Sequence, residues 1–203
     1  MRRIQDDEME LAVALMADRF AAHPYYAARF AGLPARACLL AEMGVRLPAL
    51  AQCGDLLVPD AGPEGLLAGV QAADFGPMAA RLLEKRAQQA VLHGLPRPAR
   101  ERFRAQVRRL LPVSDTDWPR ALFGRRYYAL HYLTVDASLQ GTGACRELLQ
   151  PVLEGCGAAG LPVALWAYSP QATALYEHFG FQLAMTHRLP DITQYGMVWE
   201  AKR

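Results

Sequence analysis

The sequence predicts a mixed α/β fold, in which a central β-sheet is flanked by helices. Strand and helix patterns alternate from residue 127 onwards, which is typical of such a sheet. Amphipathic helical patterns fill much of the first half. Hydrophobic residues make up 52% and charged residues 21%, so the chain has the composition of a globular protein and not of a disordered one. Its length of 203 residues suits one domain over residues 1–203.

The first half is predicted from helical periodicity and turn signals. Met9, Val13, Met16 and Phe20 recur at helical steps, and His23-Pro24 interrupts the pattern because proline lacks an amide hydrogen. The predicted elements are a strand over 2–5, two helices joined at a bend over 6–30, a helix over 35–45, a hairpin of strands over 55–58 and 65–70, a helix over 78–93, and a helical or loop insertion over 95–126.

The second half has a different composition. Residues 127–135 are rich in aromatic and β-branched side chains, which predicts a central strand. The remaining predicted elements are a helix over 143–156, a strand over 163–168, a helix over 170–179, and strands over 181–185 and 197–201.

Composition also excludes several classes of protein. A net charge of +2 predicts neither a nucleic-acid nor a membrane partner, and the chain carries no apolar run of the roughly twenty residues that span a bilayer. The N-terminus does not resemble a signal peptide, and four scattered cysteines predict no disulfide framework and no metal site. We therefore expect a cytoplasmic protein, with a homodimer left open. The arginines of 97–109 predict a solvated helix face, and RNA binding is the alternative.

The most informative stretch runs from Leu133 to Cys145. A strand ends at Val135, a glycine-bearing loop follows, and a helix begins near Gly143. Such a loop leaves backbone N–H groups unpaired at the positive end of a helix dipole, which is a site for an anion. A plain strand-to-helix turn would give the same pattern, so the loop alone does not establish a function.

A second segment, Ser169 to Phe181, follows the next predicted strand. Together the two segments resemble the Gcn5-related N-acetyltransferase (GNAT) superfamily. Gln140 and Gly143 match its phosphate-loop pattern, with Cys145 where glycine or alanine is usual. The second segment matches the family's downstream pattern at Ala172, Tyr176, Gly180 and Phe181. Ser169 stands in place of the usual asparagine, and serine can still cap the helix. The whole is most similar to the small-molecule branch with puromycin acetyltransferase-like enzymes.

The resemblance implies a GNAT-like fold whose splayed pair of parallel strands holds acetyl-CoA. Backbone groups of Leu133 and Val135 would pair with the pantetheine arm, as an added strand does. Amides of the loop would hold the pyrophosphate, and Arg146 would either add charge there or be a solvated helix residue. The implied cofactor-binding residues are Leu133, Thr134, Val135, Gln140, Gly141, Thr142, Gly143, Ala144, Cys145, Arg146, Ser169, Ala172 and Tyr176.

Two residues are candidates for proton transfer. The family places the Tyr176 phenol near the sulfur, where it would protonate the departing thiolate; packing against Phe179 is the alternative. His131 lies two residues before Leu133, so regular alternation predicts the same strand face, and it is the candidate base. A buried core histidine is the alternative role for His131, and a water chain or one of the carboxylates Glu42, Asp55 and Asp74 is the alternative base.

Aromatic residues predict where the acceptor amine would bind, on what we call the acceptor side of the site. Tyr25, Tyr26, Phe30, Tyr128 and Trp166 would line a mostly apolar pocket, suited to a small lipophilic amine.

Two functions follow from the sequence. The first is an acetyl-CoA-dependent N-acetyltransferase that acts on a small primary amine by direct attack in a ternary complex. The second is a non-catalytic module that binds acyl-CoA as a sensor or engages a partner.

Overall fold

The computed structural model describes residues 1–201 as a seven-stranded mixed sheet with helices on both faces. The strand order is β1-β2-β3-β4-β5-β7-β6, and every neighbouring pair is antiparallel except β4 and β5. The strands are β1 (Arg2–Arg3), β2 (Asp55–Val58), β3 (Gly65–Gln71), β4 (Tyr128–Val135), β5 (Val163–Ala167), β6 (Gln182–Leu189) and β7 (Ile192–Trp199). The mixed α/β prediction is confirmed, with β4 central as expected.

Eight α-helices connect these strands within the described residues. They are α1 (Met9–Phe20), α2 (Pro24–Arg29), α3 (Ala35–Cys53), α4 (Pro77–Gly94), α5 (Arg97–Leu110), α6 (Trp118–Phe123), α7 (Ala144–Ala158) and α8 (Pro170–His178). The bend at His23-Pro24 separates α1 from α2 as predicted, with Pro24 at the first position of α2, where its missing N–H costs nothing. That residues 95–126 are an insertion stays a prediction.

Three predicted elements were wrong in extent, and one of them, β6, continues past the predicted end at residue 185 to Leu189. Helix α3 continues past Val45 to Cys53 with Pro48 inside it, because burial of Leu47 and Leu50 offsets the cost of the proline. Strand β7 starts at Ile192, five residues before the predicted start, and ends at Trp199. Ile192, Thr193 and Tyr195 favour a strand in this earlier segment, and pairing with β6 stabilises it.

Two hydrophobic clusters lie on opposite faces of the sheet. The first cluster joins α1 to α5 with one face of β3 and β4, and it includes Phe30, Leu39 and Ala129. The second cluster joins α7 and α8 with the other face, and it includes Tyr128 and Leu149. All four cysteines are free thiols. No helix in the described part of the chain is long and apolar enough to cross a membrane.

The parallel strands β4 and β5 separate along their length. They pair only over Tyr128–Leu130 and Val163–Leu165, although β4 continues to Val135. Beyond Leu130, β4 pairs with β3 on its other side, so within residues 1–201 the edge that faces β5 has no strand partner. The predicted splayed pair is therefore confirmed, and it leaves a strand edge to which an extended group can add.

Candidate active site

The loop after β4 presents free backbone amides at the start of α7. Gly141 and Gly143 have φ values of 78° and 96°, a left-handed region that favours glycine. The amide of Thr142 donates to the carbonyl of Leu139, and no side chain caps α7. Among the described residues, the N–H groups of Gly141 and of Gly143 to Arg146 therefore have no acceptor. These amides are therefore free to bind an anion at the positive end of the α7 dipole.

Space around the loop also fits a phosphate. A Cβ on Gly141 or Gly143 would meet no atom within 4 Å, so both glycines face open space. Gln140 is exposed and extended, and it leads the chain into Gly141. The hydroxyl of Thr142 donates to the Leu139 carbonyl at 2.7 Å, which fixes the turn and leaves the amides to a ligand.

Arg146 points towards α8. Its guanidinium lies 3.0 Å from His178 Nε2 and 5.5 Å from the centre of the Phe179 ring. The side chain is exposed, so the contact holds it loosely. Both of the predicted roles for Arg146, phosphate ligand and solvated helix residue, remain compatible with this position.

Helix α8 places Tyr176 beside the start of α7. Ser169 caps α8, since the amide of Ala172 donates to its hydroxyl at 3.1 Å, which confirms the predicted cap. The Tyr176 ring packs edge-on against Phe181, at 5.6 Å between centres, and not against Phe179. Burial, followed by the nearby thiol of Cys145, raises the pKa of Tyr176 above its usual range. The phenol therefore keeps its proton at neutral pH and can donate it.

His131 does not share a face with Leu133, and the expectation that it would was wrong. The register of β4 against β3 shifts between Ala68 and Gly69, which pair with Tyr132 and Leu130 and leave His131 as an extra residue. This β-bulge resets the alternation. Leu133 contacts the second cluster, whereas His131 stacks on Trp166 at 5.7 Å, on the face of the first cluster.

The bulge gives His131 an unusual environment. Its Nε2 atom is buried and has no hydrogen-bond partner among the described residues. Burial, followed by the positive charge of Arg46, lowers the pKa of His131 to about 4. The imidazole is therefore neutral at pH 7, with a nitrogen that is free to accept or donate one hydrogen bond.

The predicted acceptor residues divide between the two faces of the sheet. Tyr25, Tyr26 and Phe30 lie in α2 or just after it and pack in the first cluster, as does Trp166 on β5. Tyr128 instead belongs to the second cluster, where its ring lies against Gly69 and its hydroxyl donates to Asp55 at 3.1 Å. Including Tyr128 with the other four was therefore wrong, because strand alternation sends it through the opposite face.

Phe30 is buried more deeply than a residue that lines a pocket. Its side chain is 2% exposed and stacks on Phe103 at 5.8 Å, so it supports the pocket from beneath. The hydroxyls of Tyr26 and Tyr132 lie 3.3 Å apart, and His23 packs between the rings of Phe20 and Tyr168. An aromatic face thus surrounds the bend between α1 and α2.

A buried ion network that the sequence did not predict lies under this face. Arg29 donates to Glu42 at 3.2 Å, to Glu84 at 2.9 Å and to the Tyr25 hydroxyl at 3.1 Å. Arg46 donates to Glu42 at 2.8 Å and also contacts Glu84. Burial alone would raise the pKa of Glu84, but Arg46 and Arg29 hold it well below its usual range. Only the spacing of Glu42 and Arg46, one helical turn apart, signals this network in the sequence.

The network removes Glu42 from the candidate bases, since two arginines hold its carboxylate. Asp55 accepts hydrogen bonds from Tyr128 and Arg3. Asp74 follows β3, whose last residue pairs with the first residue of β4, so it lies at the opposite end of β4 from the splayed strands. Of the predicted bases, only His131 faces the acceptor side with an unpartnered nitrogen.

Six buried polar atoms have no partner in the part of the chain that the structure describes. Four of the atoms belong to residues that contact the first cluster, and the other two belong to residues of β6 and β7. The atoms are His23 Nδ1, Trp118 Nε1, His131 Nε2, Trp166 Nε1, His187 Nδ1 and Gln194 Oε1. An unpaired buried polar atom costs about 1–3 kcal/mol. Most of these atoms therefore lie on the face of the sheet that carries His131.

The diverging strands and the free amides of the loop together resemble the site in which acetyltransferases bind a coenzyme A thioester. Residues 110–181 match the sequence model of the acetyltransferase (GNAT) family. An uncharacterised N-acetyltransferase of Schizosaccharomyces pombe is 38% identical over 52 residues, which cover 26% of this chain and 21% of that relative. Residues 110–181 of this chain therefore resemble the acetyltransferase (GNAT) family, and the matched relative is named as an N-acetyltransferase.

Solved structures share the complete fold. One is histone acetyltransferase HPA2 and related acetyltransferase from Corynebacterium glutamicum. Its TM-score is 0.63 at 18% sequence identity, and the alignment covers 100% of this chain and 96% of that chain. Arylalkylamine N-acetyltransferase 2 from Aedes aegypti has a TM-score of 0.63 at 13% sequence identity. The alignment covers 98% of this chain and 97% of that chain. At these identities the likeness establishes the fold.

We expect Gly143→Val to weaken coenzyme A binding about tenfold or more, a loss of about 1.4 kcal/mol. Valine is strained at a φ of 96°, so the loop would rearrange and its amides would no longer converge. Calorimetric titration with coenzyme A measures the change.

Gly155→Val is the matched control for this prediction. Gly155 lies in the same helix at an ordinary φ, and a Cβ there would also meet no atom within 4 Å. Equal affinity in a folded Gly143→Val variant would contradict the role of the loop.

Proposed function

We propose that the protein transfers an acetyl group to a small-molecule primary amine, by direct attack of the amine within a ternary complex. The observation that carries this proposal is the separation of β4 from β5 beside the free amides of the loop. Leu133 and Val135 would bind the pantetheine arm through their backbone groups, and the amides of Gly141 and of Gly143 to Arg146 would bind the phosphates. When bound, acetyl-CoA supplies the activated thioester.

Two side chains divide the proton transfers in this proposal. His131 accepts the proton that the amine nitrogen loses as the new C–N bond forms, and Tyr176 donates its proton to the sulfur as the C–S bond breaks. The two residues lie on opposite faces of the sheet, on either side of the splayed strands. This arrangement lets His131 accept the proton of the amine from one side while Tyr176 protonates the thiolate from the other.

The acceptor is proposed to be a lipophilic monoamine. The aromatic rings around Tyr25 and Tyr26 offer apolar surface, and both carboxylates near them, Glu42 and Glu84, are neutralised by arginines. A polycationic amine would find no free negative charge in this network. The name of the mosquito neighbour, an arylalkylamine N-acetyltransferase, is consistent with such an acceptor.

An assay of free thiol release with a panel of amines tests this function. Alkylamines and arylalkylamines should give a higher kcat/KM than spermidine or aminoglycosides. The opposite ranking would contradict the proposed acceptor, and a peptide with a free N-terminus as the best substrate would assign the protein to protein acetylation. Coenzyme A binding without thiol release from any amine would favour the acyl-CoA sensor.

The pH profile tests His131. Because its pKa is lowered to about 4, we expect kcat/KM, calculated for the free amine, to show no rise near pH 6.5. His131→Gln should lower kcat about tenfold across the neutral range, since a weakly basic imidazole gives modest assistance. His93→Gln, on the last turn of α4, is the control.

An unchanged kcat in His131→Gln would contradict the role of His131 as the base and would point to a water chain. A rise near pH 6.5 that the substitution abolishes would keep His131 as the base but would contradict its lowered pKa.

A further inference from the structure

Helix α5 concentrates positive charge that the rest of the chain does not share. Its 14 residues include six arginines and no lysine, and Glu101 is its one acidic residue. These side chains give α5 a net charge of +5, and because the chain totals +2, the remaining residues together carry −3. The small net charge of the whole chain therefore does not exclude an anionic partner for α5.

Three of the six arginines already have partners in the fold. Arg100 and Arg102 each donate to a backbone carbonyl at 2.8 Å, and Arg109 forms an ion pair with Asp191 at the same distance. The contacts of Arg102 and Arg109 join α5 to the connection between α2 and α3 and to the turn between β6 and β7. These side chains therefore have a role within the fold.

The other three, Arg97, Arg104 and Arg108, form what we call the arginine stripe. Positions seven and four residues apart lie on one side of a helix, and all three residues are exposed. The stripe extends about 16 Å along the helix axis. In the part of the chain that the structure describes, none of the three has a hydrogen-bond or ion-pair partner, and Glu101 beside them pairs with none of them.

The exposed face of α5 offers little besides charge. The apolar side chains of the helix, such as Phe103 and Leu110, are buried in the protein, and the exposed residues among the arginines include only the small apolar ones Pro98 and Ala105. One exposed leucine, Leu111, follows the helix. Protein interfaces depend on buried aromatic or arginine anchors in apolar surroundings, and a helix on a membrane inserts an apolar face. Contacts to phosphates need neither, so this surface favours a nucleic acid.

We propose that the arginine stripe binds the phosphate backbone of a nucleic acid without reading its sequence. A guanidinium matches the oxygens of a phosphate with two parallel hydrogen bonds, and a strand of phosphates supplies a line of negative charge. The stripe carries no aromatic ring on which a base could stack, so the contacts are to phosphates alone. Helix α5 packs on the first cluster and α7 on the second, so this site is separate from the loop that precedes α7 and does not depend on the proposed function.

Fluorescence anisotropy with a labelled single-stranded RNA of about twenty nucleotides tests the proposal. A plot of log K against log salt concentration should have a slope of about −2, since each of three phosphate contacts on a single strand contributes about −0.7. DNA of the same sequence should bind with similar affinity, because the two strands share their phosphates. Saturating coenzyme A should leave the affinity unchanged, because its proposed site lies on the opposite face of the sheet.

The double variant Arg104→Gln, Arg108→Gln should bind the RNA more weakly and reduce the slope to about −0.7. The matched control, Arg81→Gln with Arg126→Gln, removes the same charge from exposed positions on α4 and just before β4 and should keep the wild-type slope. Circular dichroism checks that both variants are folded.

Four results would overturn the proposal: no binding of the RNA at low salt, equal binding by the two double variants, displacement of the RNA by coenzyme A, or a preference for another polyanion. Tighter binding of polyglutamate than of RNA would assign the stripe to an acidic protein, and tighter binding of phosphatidylserine vesicles would assign it to a membrane surface.

Discussion

Tyr176→Phe should lower kcat by about 10²–10⁴-fold while leaving KM nearly unchanged. Protonation of the leaving thiolate belongs to the transition state, so its loss affects turnover and not ground-state binding. The position of the ring, between α8 and the start of α7, supports this role, as does a pKa raised by burial and by Cys145. Steady-state kinetics with the best amine of the panel measure both constants.

Tyr127→Phe is the matched control. Tyr127 is also buried and its pKa is also raised, first by burial, but it precedes β4 and lies at the opposite end from the splayed strands. Its substitution should leave kcat unchanged. Wild-type turnover in Tyr176→Phe would show that this tyrosine only packs against Phe181.

Glu42→Gln should lower the free energy of unfolding by about 3–5 kcal/mol. The substitution keeps the shape of the side chain but leaves Arg29 and Arg46 with Glu84 as their one remaining carboxylate in the network. Removing one partner of a buried ion pair is costly because it leaves a charge that neither water nor a counterion compensates. A loss of this size is a large part of the stability of a typical domain.

Urea unfolding followed by circular dichroism measures this effect as a fall in the midpoint at constant m. Asp18→Asn is the control, since it breaks the exposed pair with Arg36, which solvent screens. Equal midpoints for the two variants would show that the buried network contributes no more than a surface pair. Thermal unfolding of both variants with coenzyme A present would separate stability from cofactor binding.

The glycine loop after β4 and the cap of α8 could be predicted because both depend on near neighbours. A glycine adopts positive φ, and a serine caps the amide three residues later, without reference to distant parts of the chain. The ion network could not be predicted in the same way. Arg29 and Glu84 are 55 residues apart, and their contact depends on tertiary packing, which places α4 against α3 and brings Arg29 of α2 to Glu42 and Glu84.

His131 shows this limit within the site itself. Period-two alternation along β4 assigns it to the face of Leu133, and the sequence of β4 carries no sign of an extra residue. The bulge arises from pairing with β3, some sixty residues earlier in the chain, so its cause lies outside the strand it alters.

By itself, the sequence determined the mixed sheet, the glycine loop after the central strand, and the cap and tyrosine of α8. Each follows from periodicity or from hydrogen bonds between residues close in the chain. Only the tertiary structure decided which side chains share a face. It moved His131 onto the acceptor side, sent Tyr128 to the opposite side, and gave Arg102 and Arg109 of α5 partners in distant loops. These placements depend on strand register and helix packing between distant segments, which no local pattern contains.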